Sequence, residues 1–182
     1  PDAECTHAGS YATTWSDTLE SHRAAYSLYS GMELDLPLPD PGSPTDERIR
    51  TIRAGHTDPG LILLYYRYGR YLLFCSSVRG ELPANLQGKW NEDIEPPWAC
   101  DYHNDINLQM TYWPAETGGM ECSVEALVLF LERFLPHARQ AARALYGCRG
   151  IWLPIQTDAW GRATPESYGH AVWVGAAPWL AQ

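Results

Sequence analysis

The sequence predicts an all-α fold. Three observations point to it. Apolar residues recur at three- and four-residue spacing over several long segments, helix-starting and helix-stopping residues bracket those segments, and no alternating run competes with them beyond a short candidate at Ile151 to Ile155. Long loops rich in Trp, Pro and carboxylates separate the helices. Such an alternation of helix and decorated loop lets a helical barrel gather a site at one rim.

The elements follow in order. Residues 1–16 are mostly small and polar and read as a linker, with 17–182 as one helical unit. Ser16 or Asp17 can cap a first helix that runs to Ser30 and stops at Gly31. The stretch "LDLPLPDPGSP", Leu34 to Pro44, holds four prolines and predicts an extended loop. "TDERIRTIRAG" predicts a short helix capped by Thr45, acidic in its first turn, basic later, and closed by Gly55. Asp58-Pro59 then opens the clearest helix of the chain, a cap followed by proline at the first position, running to Ser76. Its residues are apolar nearly all round, which predicts burial on most sides or, without covering helices, an exposed apolar face prone to aggregation.

Arg79 to His103 is a long irregular stretch whose prolines and tryptophans predict order. A helix is expected from Asp105 to Thr117, and another from Ser123 to Tyr146, kinked at Pro136 and closed by Gly147. Gly150 to His170 predicts a second aromatic loop, followed by a last helix beginning near Ala171. The chain starts without Met and ends within an apolar pattern, so it reads as a piece of something longer.

Composition narrows the function. Hydrophobic residues make up 45% and charged residues 19%, a globular balance. A net charge of −9 argues against nucleic acid or an anionic membrane as partner, and no segment has the length and apolarity of a membrane span. Eight Trp and 11 Tyr stand against 3 Phe. Rings with a flat apolar face and a polar tip suit either a large aromatic core or stacking on sugar rings. The five widely spaced cysteines form neither a zinc pattern nor a disulfide framework, and Cys75 reads as core. No cofactor or metal is expected.

The densest polar chemistry is "DYHNDIN", Asp101 to Asn107, ahead of an apolar run. Two readings stand side by side. Asn104 or Asp105 caps the helix, with Asn107 satisfying a first-turn donor. Alternatively His103, Asp105 and Asn107, which alternate, point into one cleft and hold a water and a sugar hydroxyl. A helix N-terminus favours an anion, so Asp105 would then be a base or water-holder. Metal ligation by Asp101, His103 and Asp105 is a third, weaker reading, since nothing else in the chain has ligand spacing. Asp158 in "QTDAWG" is as suited to making a turn as to binding sugar.

"PANLQGKWNEDIEPPW", Pro83 to Trp98, followed by "DYHNDINLQMTYWPAE", resembles the catalytic domain of glycoside hydrolase family 95, the inverting 1,2-α-L-fucosidases and some α-L-galactosidases. "PTDERIRTIRAG", "DPGLILLYYRYGRYLLFCSS", "YGCRGIWLPIQTDAWGRATP" and "GAAPWLAQ" extend the likeness, in order, to most of the chain from Glu20 onward. The resemblance implies an (α/α)6 barrel, of which 17–182 would be the N-terminal part. It implies a terminal α-L-fucosyl or α-L-galactosyl glycan as substrate, and an extracytoplasmic location. It also implies a glutamic acid that protonates the leaving oxygen and two asparagines that position the water for an aspartate base. The asparagine pair sits in a stretch like H-x-N-I-N. Here His103 and Asn107 match it, while Asp105 replaces the first asparagine; it could itself act as base, or sit near the implied aspartate so that mutual repulsion raises one of the two pKa values. The implied acid and base lie C-terminal of these residues, so this stretch alone is expected to be inactive. By the same resemblance His103 would bind a sugar hydroxyl, and Trp98, Trp160 and Asp158 would shape the pocket. A helical sugar-binding domain without turnover is the alternative.

Overall fold

The computed structural model describes residues 14–27, 34–38, 42–78, 82–166 and 172–182. Among the described residues helix accounts for 53% and strand for 4%, so the all-α class holds. Helices α1 (Trp15–Ser27), α2 (Thr45–Arg53), α3 (Pro59–Ser76), α4 (Asn107–Tyr112), α5 (Glu121–Tyr146) and α6 (Ala176–Leu180) are joined by two long loops. The first loop carries a 3-10 turn, Pro97–Cys100, and strand β1 (Tyr102–His103), and the second carries β2 (Gln156–Thr157).

Helix starts divide into those set by local chemistry and those set by distant contacts. Helix α1 is fixed by a reciprocal cap one turn earlier than expected. Thr14 Oγ1 accepts from the Asp17 N–H at 3.2 Å, and Asp17 Oδ2 accepts from the Thr14 N–H at 3.0 Å. The expected end at Ser30 and Gly31 lies outside the described residues. Thr45 does not cap α2; the cap position is Pro44, which has no side-chain hydrogen bond to give. Helix α3 starts as its sequence dictates. Asp58 accepts from Leu61 N–H at 2.9 Å, Pro59 takes the first position, and Arg48 of α2 clamps the same carboxylate with two 2.8 Å bonds. That fork ties α2 to α3.

Helix α4 is shorter than predicted. It begins at Asn107, its cap position is Ile106, and no side chain caps it. Helix α5 begins at Glu121, remains helical on both sides of Pro136, and ends at Gly147 in the left-handed conformation at φ 62°. The expected start of the last helix at Ala171 lies outside the described residues, α6 covers Ala176–Leu180, and the strand pieces expected at 151–155 occur instead at Gln156–Thr157. A two-residue strand has too few alternations to register as a period, which explains the offset.

The core runs along one stripe of α5. Phe130, Phe134 and Ala138 meet Leu73 and Phe74 of α3, Leu108 and Tyr112 of α4, and Leu153 and Ala176 further on. A buried hydroxyl network binds the layers. Tyr112 Oη accepts from Ala84 N–H at 2.9 Å and meets Ser77 Oγ at 2.7 Å, and Ser123 Oγ donates to the Ser77 carbonyl at 2.7 Å. The opposite face of α3 is not covered. Ile62 is 67% and Tyr65 79% exposed, and with Ile49, Ile52 and Tyr68 they line an apolar groove of about 470 Å³ between α2 and α3. The burial on most sides that the sequence suggested is therefore one-sided among the described residues.

Two outcomes follow. Asp58 is held down to about 2, first by its hydrogen bond to Arg48 and then by the Leu61 N–H. A depressed carboxylate stabilises the fold above its unfolded pKa of about 4 and loses that contribution as pH falls through about 2. Acid unfolding followed by circular dichroism should therefore steepen between about pH 4 and 2, and Asp58→Asn should flatten that limb. The uncovered groove should make the 182-residue chain self-associate; light scattering should show this, and Ile62→Lys with Tyr65→Lys should reduce it while the helical signal persists.

Candidate active site

The two long loops meet through backbone bonds. Tyr102 pairs with Thr157 and His103 with Gln156 in antiparallel register. Asn104 extends the seam: its N–H donates to the Ile155 carbonyl at 2.6 Å, and its side-chain amide donates to the Pro154 carbonyl at 2.9 Å. Asn104 is completely buried. Its side-chain nitrogen is thus committed to a partner fifty residues away, and its Oδ1, the atom that would cap, accepts no N–H of α4. Neither does Asp105, since Ile106 occupies the cap position without side-chain help. The capping reading of "DYHNDIN" is corrected accordingly: the segment is the edge of a loop–loop seam, and α4 follows it. Gln109, one turn into α4, donates to the Asn104 carbonyl at 2.8 Å and holds the helix to the seam.

His103 and Asn107 come together. Both line a tight crevice with Asn85, Leu86, Tyr102 and Thr111, which leaves about 0 Å³ for a water-sized sphere. Asp105 does not line it. One oxygen of Asp105, Oδ1, is buried and has no hydrogen-bond donor among the described residues. An acceptor in that condition is costly unless something donates to it.

His103 is 9% exposed and sits in a dense polar contact set. Its Nδ1 lies 2.5 Å from Asp101 Oδ1, and its Nε2 lies 3.2 Å from the Gln156 side-chain nitrogen. That same nitrogen is 3.4 Å from Asp101 Oδ2. Burial pushes the Asp101 carboxyl up, and His103 and then Arg162 pull the other way. Asp101 and Gln156 had no sequence signal as site residues; Asp101 stood out only as a metal-ligand candidate. No group of three or more His, Cys, Asp or Glu side chains among the described residues could hold a metal ion.

Trp98 is 74% exposed and turns its ring edge-on to His103, with centroids 6.1 Å apart and planes at 84°. It sits there because Trp98, Ala99 and Cys100 all take left-handed backbone angles, φ 56°, 57° and 49°. For L-residues that conformation costs about 1–2 kcal/mol each. Local bonds hold the turn: Ala99 N–H to the Pro96 carbonyl at 3.1 Å, Gln87 to the Pro97 carbonyl at 3.0 Å, and Cys100 Sγ to Asn85 at 3.3 Å.

Across the seam, Asp158 makes the turn that the sequence allowed. Its carboxylate accepts from Trp160 N–H at 2.9 Å, Arg162 N–H at 3.2 Å and the Arg162 guanidinium at 3.1 Å. Burial raises its carboxyl, but those two N–H donors and the Arg162 side chain outweigh it and hold it below the usual range. Glu166 also pairs with Arg162. Asp158 therefore orders the loop and leaves Trp160 projecting, 82% exposed. The apolar groove between α2 and α3 shares no lining residue with these site residues.

The glycosyl hydrolase family 95 catalytic domain matches residues 14–182. The chain is 42% identical over 130 residues to "Alpha-L-fucosidase 2" of Arabidopsis thaliana, covering 71% of this chain and 15% of that protein. It is 30% identical over 174 residues to "Probable alpha-fucosidase A" of Aspergillus niger, covering 93% of this chain and 20% of that protein. A counterpart with the same name in Aspergillus oryzae is 36% identical over 134 residues, 69% of this chain and 18% of that protein. The chain thus spans between 15% and 20% of the length of these curated relatives.

Asn104→Ala removes the side-chain bond across the seam and leaves the buried Pro154 carbonyl short of a donor. It should destabilise the fold by about 1–3 kcal/mol in denaturant titration, with a larger loss of amide-exchange protection at Asn104 and Gln109 than in α5.

Proposed function

The chain belongs to the glycosyl hydrolase family 95 catalytic domain family, whose catalytic domain is an α/α barrel, and on that footing we propose that its residues 17–182 supply the water side of an inverting glycosidase. The whole protein would remove terminal α-L-fucosyl, or α-L-galactosyl, residues from glycans. The observation that carries this reading is the pairing of His103 and Asn107 in one crevice, the two positions that match the family's water-binding stretch. Asn107 orients the attacking water, since an amide both donates and accepts without adding charge. His103 meets a sugar hydroxyl. Trp98 and Trp160 offer exposed indole faces for stacking against the sugar or its neighbours, and Asp158 acts on the pocket through the turn it holds.

Asp105 stands where the family has an amide. Its buried Oδ1 has no donor among the described residues, which fits a carboxylate that accepts from a water or a hydroxyl. Inversion requires an acid and a base roughly 6.5–9.5 Å apart with water between them. Asp105 would serve as that base, reaching the water from outside the crevice that His103 and Asn107 line, with the acid supplied from elsewhere in the whole protein. The reading favours a glycan partner rather than nucleic acid, in line with the net charge of −9. It also favours an extracytoplasmic setting; no helix among the described residues is long and apolar enough to cross a membrane.

The same carboxylate is the observation that favours a second reading, a glycan binder in which the substitution has ended turnover. Assays of the whole protein on a terminal 1,2-linked α-L-fucoside separate the two. Hydrolysis with inversion supports the enzyme, and binding without hydrolysis supports the binder. In the active case Asn107→Ala should lower kcat by about 10²–10⁴-fold, the range for loss of positioned proton-transfer chemistry. Asp105→Asn should lower it comparably, and undiminished hydrolysis in that variant would sink the direct-base role.

A further inference from the structure

We infer that Asp101 and Gln156 are positioning residues that hold His103 in a single tautomer, Nδ1–H, so that its Nε2 can meet a ligand only as a hydrogen-bond acceptor. The argument begins with the amide of Gln156. Its nitrogen lies 3.2 Å from His103 Nε2 and 3.4 Å from Asp101 Oδ2. A carboxylate oxygen only accepts, so the group facing it is the donating NH2 and not the amide oxygen. The second proton of that NH2 then points at His103 Nε2, which must carry a lone pair. A neutral imidazole with an unprotonated Nε2 has its proton on Nδ1. Nδ1 and Asp101 Oδ1 are 2.5 Å apart, and each is buried with no other hydrogen-bond partner among the described residues. A proton between them relieves what would otherwise be a close clash of two lone pairs.

The backbone makes this arrangement rigid. His103 and Gln156 are register partners across the seam, and Asp101 lies two residues before His103 on the same extended stretch. Trp98 lies edge-on to the ring. The orientation of His103 therefore depends on two loops more than fifty residues apart in sequence, and Gln156 holds the position against Nε2 that a donating group of a ligand would take. In the glycosidase reading above, on which this consequence rests, that donor is a sugar hydroxyl. A deoxy analogue lacking it should bind more weakly, because an exchanged Gln156 bond would not be replaced.

Nitrogen-15 NMR of the histidine-labelled whole protein reads the protonated nitrogen of each ring, with His103 assigned by a His103→Gln variant. Wild type is expected to show Nδ1–H and an unprotonated Nε2 at a pH where the ring is neutral. Asp101→Leu should convert His103 to the Nε2–H form and raise KM for a terminal α-L-fucoside roughly tenfold, the factor expected for one lost net hydrogen bond, with a smaller change in kcat. Where leucine prevents folding, the near-isosteric Asp101→Asn should make both forms coexist. An Nε2–H ring in wild type overturns the inference, and so does an Nδ1–H ring unchanged in the variant that folds. The tautomer is read without turnover. A protein that cleaves no fucoside yet keeps the Nδ1–H ring refutes the proposed enzyme and leaves this assignment standing.

Discussion

Everything at the site hangs on the seam between the two long loops. Four residues in a two-strand ladder, extended by the buried Asn104, join stretches about fifty positions apart. Closing such a loop carries an entropic cost that grows slowly with its length, and here the closure is held by backbone bonds and a buried amide rather than by a disulfide or a metal. The seam sets which side chains can meet. It puts Gln156 opposite His103, brings Asp158 and Arg162 within electrostatic reach of Asp101, and leaves Asn107 at the first turn of α4 beside the crevice.

The seam is in turn backed by α5. Tyr102 of β1 packs on Phe130 with ring centroids 4.8 Å apart, and its hydroxyl donates to the Pro83 carbonyl at 3.0 Å. One turn along α5, Phe134 sits under Gly161, where an added Cβ would come within 3.0 Å of the ring; Gly161 also has φ +72°. Both the space and the backbone angle require glycine there. His137, the next α5 residue on that side, meets the Gly161 carbonyl through Nδ1 at 2.8 Å. The second loop is therefore pinned to the same helix that supports the first. A single buried stripe transmits the helical scaffold into the placement of polar side chains 3 Å from one another.

How much of this was legible follows the range of the interactions. The Asp58-Pro59 start and the Gly147 stop are decided within four residues, and both were read correctly from sequence. Thr14 caps α1 by equally local chemistry, but a more ordinary Ser-Asp pair lay one turn later and drew the reading there. The ends of α4 and the position of β2 were not legible, because Asn104 bonds across fifty residues and a two-residue strand has no period to detect. The site divides the same way. His103, Asp105 and Asn107 were singled out by spacing, and the structure brings His103 and Asn107 to one crevice while Asp105 stands outside it. Asp101 and Gln156 acquire meaning only from the register of a ladder. Asp158 was read evenly between turn and ligand, and the three donors on its carboxylate place it in the turn.

The exposed side of α3 bears on the same distinction between local and distant causes. A helix apolar nearly all round is a statement that something covers it, yet its groove with α2 is open among the described residues. The site half of the chain shows the opposite balance: its polar groups are largely satisfied within the chain, by the seam, by Asp101 on His103, and by Arg162 on Asp158 and Glu166. The exceptions are four buried side-chain oxygens, Gln87 Oε1, Asn104 Oδ1, Asp105 Oδ1 and Gln109 Oε1, which have no donor among the described residues. Three of these belong to neutral amides; Asp105 is the carboxylate among the four, and a buried acceptor that carries charge is the costlier one to leave without a donor. Aspartate and asparagine have nearly the same shape, so exchanging one for the other at position 105 changes the charge on that acceptor and not its packing.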